Sequence, residues 1–277
     1  MNVILEINMP ADIDTEKLIE IITEYSTIAR KELETRWHNW SISFENYEVY
    51  QVIGALIARQ VTLATQMASA PTIWNGHIAP IIHRTMADTY ITFAWILKDP
   101  IDRSRKYISY GLGQNKLILE HRKSKHKEGD IEDQKIINAY EKWADAQRFT
   151  FLTDVDIGSW SGISTRKMAE EADCIDFYNY VYITFSPAVH SMWNHVGRYN
   201  VIHCRNPLHR YHLVPCDQYI ENDIFNFYLC AKYLEKTFRL FDKTFNQKID
   251  FLSAYGYLCN SLSKTMENVE EDKIEQS

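Results

Sequence analysis

Residues able to do chemistry concentrate between positions 178 and 215, which hold five of the ten histidines. Tyr178, Tyr182, Ser186 and His190 recur every four residues, so in a helix they share one face. A hydroxyl and an imidazole at helical spacing resemble a nucleophile and its base. The Gly-x-Ser-x-Gly turn of one large hydrolase class is missing from the sequence. We therefore interpret Ser186 as a binding residue and His190 as a candidate catalytic residue.

Proline at position 187 complicates a continuous helix through this stretch. Proline disfavours helical geometry at the residue before it and removes one backbone donor. Serine is a favoured helix N-cap and proline a favoured first residue. The pair Ser186–Pro187 therefore predicts a helix break with a restart capped by Ser186.

A second polar pair lies in an otherwise apolar segment. Arg84 and Asp88 are four residues apart in a predicted helix over 81–97, which places them on one face. With Tyr182, Ser186 and His190 they form a predicted interior polar site for a phosphate-bearing or nucleotide-like ligand. The alternative is a structural network, because a buried arginine is costly unless its partners satisfy it.

Two cysteines and two histidines lie close together downstream, in the order Cys204, His209, His212 and Cys216. Thiolate and imidazole are the ligands that zinc prefers, but this spacing matches no standard zinc finger. We therefore expect no metal or other cofactor, and we interpret His209 as a binding residue at the mouth of the polar site. Zinc held by these four side chains remains the alternative.

The arginine-to-histidine spacing in the same loop is similar to the Arg-x4–6-His signature of HEPN ribonucleases. Arg198 to His203 and Arg205 to His212 both satisfy it, and Asn206 follows the second arginine as in many of those enzymes. The similarity implies a homodimer that cleaves RNA without a metal, in a toxin or phage-defence system. His212 would then be the base and Arg205 the cation on the phosphate.

One observation keeps other functions open. A proline at position 207 lies where that signature needs a helix. The alternative function is a non-catalytic helical module that binds a ligand or a partner, with the polar cluster of Arg84 serving the fold.

Helical periodicity dominates the chain and period-two alternation is scarce. We predict an all-α fold, a single compact domain over 1–266 followed by a frayed acidic tail over 267–277, with at most a short strand or irregular piece at the ends, such as 3–7. The predicted helices span 15–40, 43–69, 81–97, 102–119, 131–149, 165–172, 176 into the histidine-rich stretch, 217–245 and 249–266.

Composition excludes several classes of protein. The net charge of −7 disfavours non-specific nucleic-acid binding by the chain as a whole. No apolar run reaches the length of about 18 residues that a membrane span needs, and the start of the chain does not have the pattern of a signal peptide. Five scattered cysteines are typical of free thiols in a reducing compartment. We therefore expect a cytoplasmic protein.

Three segments together resemble a bacterial family of unknown function, DUF5677. They are the helix of Arg84 followed by ILKDP at 96–100, WSGISTRKMAEEA at 160–172, and the tyrosine–serine–histidine face with CRNPLHRYHLVP at 204–215. An acid at the position of Asp88 also fits that family. The resemblance implies a helical fold, but it carries no reaction and no catalytic residue.

Overall fold

A computed structural model describes residues 15–41, 44–127, 130–145 and 159–275, and the fold over them is helical, as predicted. The predicted irregular piece at 3–7 lies outside the described residues, and the boundary of the acidic tail at 267 remains a prediction. Within the described part, no helix combines the length and the apolar character that crossing a bilayer requires. The elements are α1 (Thr15–Asn39), α2 (Tyr47–Ala68), α3 (Ala79–Ile96), α4 (Pro100–Lys125), α5 (Ile131–Asp145), α6 (Thr165–Glu171), α7 (Ile175–Phe177), a π-helix (Tyr178–Tyr182), α8 (Ile183–Val189), α9 (Trp193–Tyr199), β1 (Val201–His203), β2 (Leu213–Pro215), α10 (Phe225–Phe245) and α11 (Ala254–Glu275).

Helices α2, α3 and α10 pack against one another and form the centre of the core. The small residues of α2 permit close approach of its neighbouring helices. A side-chain carbon on Gly54 would overlap the ring of Trp37 in α1, so a larger residue here would force that ring to move. Large apolar side chains from α3 and α10 fill the rest, including the fully buried Phe93, Phe227 and Phe238.

Buried charges join the two ends of the chain across this core. Arg36 is 3 % exposed and makes two hydrogen bonds of 2.7 Å to the carboxylate of Asp242 in α10. It also contacts the Glu32 carboxylate at 3.2 Å, and its guanidinium lies 3.9 Å from the ring centroid of Phe238. Glu32 in turn accepts a 2.8 Å hydrogen bond from the backbone N–H of Ala254, the first residue of α11. One network therefore connects α1, α10 and α11.

A second buried network surrounds His83 in α3, a side chain that is fully buried. Its Nε2 lies 3.1 Å from Asn226 Oδ1 and its Nδ1 lies 3.5 Å from Cys230 Sγ. Both contacts are satisfied by a neutral ring, with Nε2–H donating to the amide and the thiol donating to Nδ1. Burial lowers the pKa of His83 to about 4, so the ring is uncharged at neutral pH.

The predicted helix restart at Ser186 is wrong. The helix runs through Pro187 and ends at Val189, and the chain turns at Ser191, whose φ is 47°. The Ser186 hydroxyl donates to the Tyr182 carbonyl at 2.6 Å, so it closes a helical turn instead of capping a new helix. A π-helix lies directly before α8, where the N–H of Ile183 donates to the Tyr178 carbonyl.

Several further boundaries differ from the sequence prediction. Helix α4 extends to Lys125 instead of 119, and α11 spans Ala254–Glu275 instead of 249–266. The strands β1 and β2 form an antiparallel hairpin well inside the chain, with Ile202 opposite Val214, and not at its ends. Helix α10 begins at Phe225, eight residues later than predicted from 217. The intervening residues pack by backbone contacts instead, such as the hydrogen bond from Asp223 N to Trp74 O at 2.9 Å.

Candidate functional site

Arg84 is the centre of a polar cluster between α3 and the segment that follows α7. The side chain is 7 % exposed. Its Nε donates to Ser186 Oγ at 3.0 Å, Nη1 pairs with the Asp88 carboxylate, and the guanidinium carbon lies 3.1 Å from the ring centroid of Tyr182. The structure thus brings together four residues that the sequence assigned to one site.

Each polar group in this cluster already has a partner within the protein. Ser186 accepts from Arg84 and donates to the Tyr182 carbonyl, and Asp88, which is half-exposed, pairs with Arg84. The ring of Tyr182 stacks on Tyr178 at 4.7 Å. The guanidinium is buried under an aromatic ring, and its contacts join α8 to α3.

His190 stands apart from this cluster. It caps the C-terminal end of α8, where it is exposed and its backbone N–H donates to the Ser186 carbonyl at 3.1 Å. Among the residues that the structure describes, no contact joins its ring to Arg84 or Ser186. A nucleophile–base pair between Ser186 and His190 is therefore not formed here.

We expect Arg84→Ala to lower the free energy of unfolding by about 2 kcal/mol. The loss combines one hydrogen bond, one ion pair and one cation–π contact, each of which contributes up to about 1 kcal/mol at a partly desolvated position. Chemical denaturation followed by far-UV circular dichroism measures the change. Ser186→Ala, which removes one of these contacts, should lose about half as much.

Unchanged stability of Arg84→Ala would contradict this expectation. It would show that the surrounding groups do not depend on the guanidinium, and Arg84 would then be interpreted as a ligand-binding residue.

Arg205, His209 and His212 lie in the loop that joins β1 to β2, and all three are exposed. Their place at the mouth of the polar site remains a prediction. Within the loop, Cys204 Sγ lies 3.7 Å from His209 Nδ1, and the rings of His209 and His212 are 5.4 Å apart. Cys216 follows β2 at the other end of the hairpin, where its N–H donates to the Asn200 carbonyl.

A groove of about 790 Å³ runs along α10 and is bordered by α3, α7, the π-helix and α11. We call it the α10 groove. Helix α10 contributes four exposed cations to it, spaced so that they lie along one helix face. Two carboxylates also line it, Asp176 and Glu235, so these six groups sum to a charge of +2. The four cations are Lys232, Lys236, Arg239 and Lys243.

Aromatic side chains lie beside these cations in the groove. Tyr180 of the π-helix is 77 % exposed at the rim, and Tyr90 and Phe177 form the wall beneath Lys236, whose Nζ lies 5.0 Å and 5.4 Å from their ring centroids. Burial raises the pKa of Tyr90 and Tyr233 above the ordinary value of a phenol, so these hydroxyls stay neutral and add no negative charge.

Sequence reasoning missed this groove. The spacing of the α10 cations at intervals of four, three and four residues was a visible signal of a basic helix face. The aromatic wall was not visible, because Tyr90 and Phe177 come from distant parts of the chain and meet α10 only through tertiary packing.

The part of the chain that contains the Arg84 cluster matches a known protein family. The sequence profile described as "Family of unknown function (DUF5677)" matches residues 50–206. No curated protein and no solved structure matches the chain. The matched range includes α2, α3 and the π-helix with α8, whereas the α10 cations, His209 and His212 follow it in the sequence.

Proposed function

The chain belongs to the DUF5677 family, whose function is unknown, and from the geometry of the α10 groove we propose that it binds single-stranded RNA. The observation that carries the proposal is the row of four exposed cations alongside aromatic rings in one groove. Proteins that bind single strands combine a positively charged groove along the phosphates with aromatic side chains on which bases stack.

The dimensions of the groove fit a short segment of a single strand. Lys232 and Lys243 are eleven residues apart on a helix, which is roughly 16 Å. Tyr180 offers an exposed ring at the rim, and a stacked base contributes about 1–3 kcal/mol. The local charge of +2 attracts phosphates although the whole chain carries −7.

The bound state we propose is one of recognition without catalysis, with the Arg84 cluster serving the fold. The metal-free ribonuclease hypothesis needs histidine and arginine to face the same phosphate. Arg205 and His212 lie in a hairpin loop, not in the helix that the HEPN signature uses, and His190 lies elsewhere. A toxin or phage-defence role of a dimeric nuclease therefore remains the second hypothesis. The free thiols support a cytoplasmic location.

A charge reversal in the groove tests the proposal. We expect Lys232→Glu/Lys236→Glu to weaken the binding of a fluorescein-labelled single-stranded RNA at least tenfold, because two phosphate contacts become repulsive. The logarithm of the wild-type association constant should fall with the logarithm of salt concentration, by about 0.7 for each phosphate contact. The double variant should show a slope smaller by about 1.4. Fluorescence anisotropy across a salt series measures both quantities.

The control carries the same change in net charge at another place. Lys106→Glu/Lys125→Glu alters two exposed lysines of α4 outside the groove and should retain binding. Equal loss in both double variants, or tighter binding of duplex RNA than of single strands, would refute the proposal. RNA recovered from the assay should be intact; cleavage that His212→Ala or His190→Ala abolishes would establish the ribonuclease instead.

A further inference from the structure

We propose that Cys204, His209 and His212, at the closed end of the β1–β2 hairpin, form a binding site for a divalent transition metal, with Zn²⁺ as the best match. One ligand atom from each of these side chains lies within 4.8 Å of the other two. This site lies in a different part of the chain from the α10 groove and does not depend on the proposed RNA binding.

The separations are close to those of a tetrahedral zinc centre. Bond lengths of about 2.3 Å to sulfur and 2.0–2.1 Å to nitrogen place a sulfur and a nitrogen ligand about 3.6 Å apart. Cys204 Sγ and His209 Nδ1 are 3.7 Å apart. The remaining ligand separations, at most 4.8 Å, close to tetrahedral values through small side-chain rotations.

Two consecutive turns of the loop backbone position His209 and His212. Asn206 to His209 form a turn with a 3.0 Å hydrogen bond from His209 N to Asn206 O, and Pro207 occupies the second position, which it favours. The next turn is closed from His212 N to His209 O at 3.1 Å. Cys204 N donates to His212 O at 2.9 Å, and this hydrogen bond holds the third ligand, Cys204, beside the two histidines.

Cys204 supplies the sulfur ligand, and the backbone N–H of Asn206 points at this sulfur at 3.5 Å. The thiolate is the form of cysteine that binds a metal. Metal binding would release the thiol proton to solvent, while both imidazoles bind as neutral ligands.

Cys216 is not part of this site. The strand register pairs Val201 with Pro215 and His203 with Leu213, so Cys204 and Cys216 lie at opposite ends of the hairpin. The four-ligand zinc alternative raised by the sequence is therefore reduced to three protein ligands. Because His209 and His212 are exposed, water can occupy the fourth position, as in zinc sites with an open coordination position.

A bound metal would stabilise the β1–β2 hairpin, which has little stability of its own. Each strand has three residues, and short two-stranded hairpins are marginally stable. Because a metal binds the folded arrangement of its ligands, its binding energy stabilises that arrangement.

Metal titration of the tag-free full chain tests the site. Zn²⁺ competed against a chromophoric chelator gives the affinity, and Co²⁺ reports sulfur ligation through thiolate-to-metal charge-transfer absorption. We expect stoichiometric binding by the wild type, and at least a tenfold loss of affinity in Cys204→Ser, His209→Ala and His212→Ala. Cys216→Ser, a matched cysteine outside the cluster, should bind like the wild type.

Circular dichroism and thermal melting establish that each variant is folded, which we expect because the loop is exposed. Binding that survives in the triple variant of Cys204, His209 and His212, or that falls equally in Cys216→Ser, would overturn the proposal. Failure of the folded wild type to bind Zn²⁺ or Co²⁺ stoichiometrically would also overturn it.

Discussion

Arg36→Ala is expected to lower the free energy of unfolding by about 3–5 kcal/mol, the largest effect of any substitution proposed for this protein. Removing one partner of a buried ion pair leaves the others desolvated and unpaired. Here the variant would leave Glu32, which is 1 % exposed, without its cation, and Asp242 without its two 2.7 Å hydrogen bonds. Burial already raises the pKa of Glu32, so this carboxyl would be neutralised more readily in the variant.

The loss should spread beyond α1, because Glu32 also receives the first N–H of α11. Equilibrium denaturation gives the free energy of unfolding. Arg239→Ala is the matched control: its ion pair with Glu235 at 2.7 Å is an i,i+4 pair with an exposed arginine, and its loss should change stability by less than about 1 kcal/mol. Equal effects of the two substitutions would show that the buried network contributes no more than a surface pair.

Acidification is expected to destabilise the protein through His83 by about 3 kcal/mol between pH 6.5 and 4. Burial lowers the pKa of this histidine to about 4 from an ordinary value of 6.5. Within this window the unfolded chain takes up a proton that the folded chain does not, so stability is fully present above pH 6.5 and falls as pH falls. Each unit of pKa difference corresponds to 1.36 kcal/mol.

Denaturant titrations at successive pH values measure this dependence. Carboxylates also titrate at the acid end, so the comparison with His83→Gln isolates the histidine, since glutamine stays neutral throughout. The variant should lose stability at pH 7, because the contacts to Asn226 and Cys230 are disturbed. Its stability should fall less steeply with acid than that of the wild type. Parallel pH profiles would mean that His83 is protonated in the folded state as readily as in the unfolded state.

Much of the fold could be predicted because hydrophobic periodicity reflects burial directly. Residues such as Ile21, Ile22 and Tyr25 are spaced for one helix face, and all three are buried in α1. The start of α10 could not be predicted in this way. Residues 217–224 are compatible with a helix, but Asp223 forms a backbone hydrogen bond to Trp74, and this distant contact has no signal in the local sequence.

The candidate site shows the same division between local and distant information. Helical spacing placed Arg84 with Asp88 and Tyr182 with Ser186, and the sequence analysis assigned both pairs to one site. The structure brings these four residues into contact. The hairpin that carries Arg205, His209 and His212 was not predicted, because its antiparallel pairing joins residues ten to fourteen positions apart. Such pairing depends on turn geometry at Asn206–His212 more than on any hydrophobic pattern.

The π-helix sets the rotation of α8 relative to α7. It places Tyr180 in the α10 groove and Tyr182 on Arg84 within five residues. A π turn contains about one residue more than an α turn, and each helical residue advances the chain by about 100°. Losing a single residue here would therefore rotate α8 by more than a quarter turn relative to α7 and carry Ser186 away from Arg84. A one-residue insertion or deletion in the π-helix would therefore separate Tyr180 in the α10 groove from the contacts that Tyr182 and Ser186 make with Arg84.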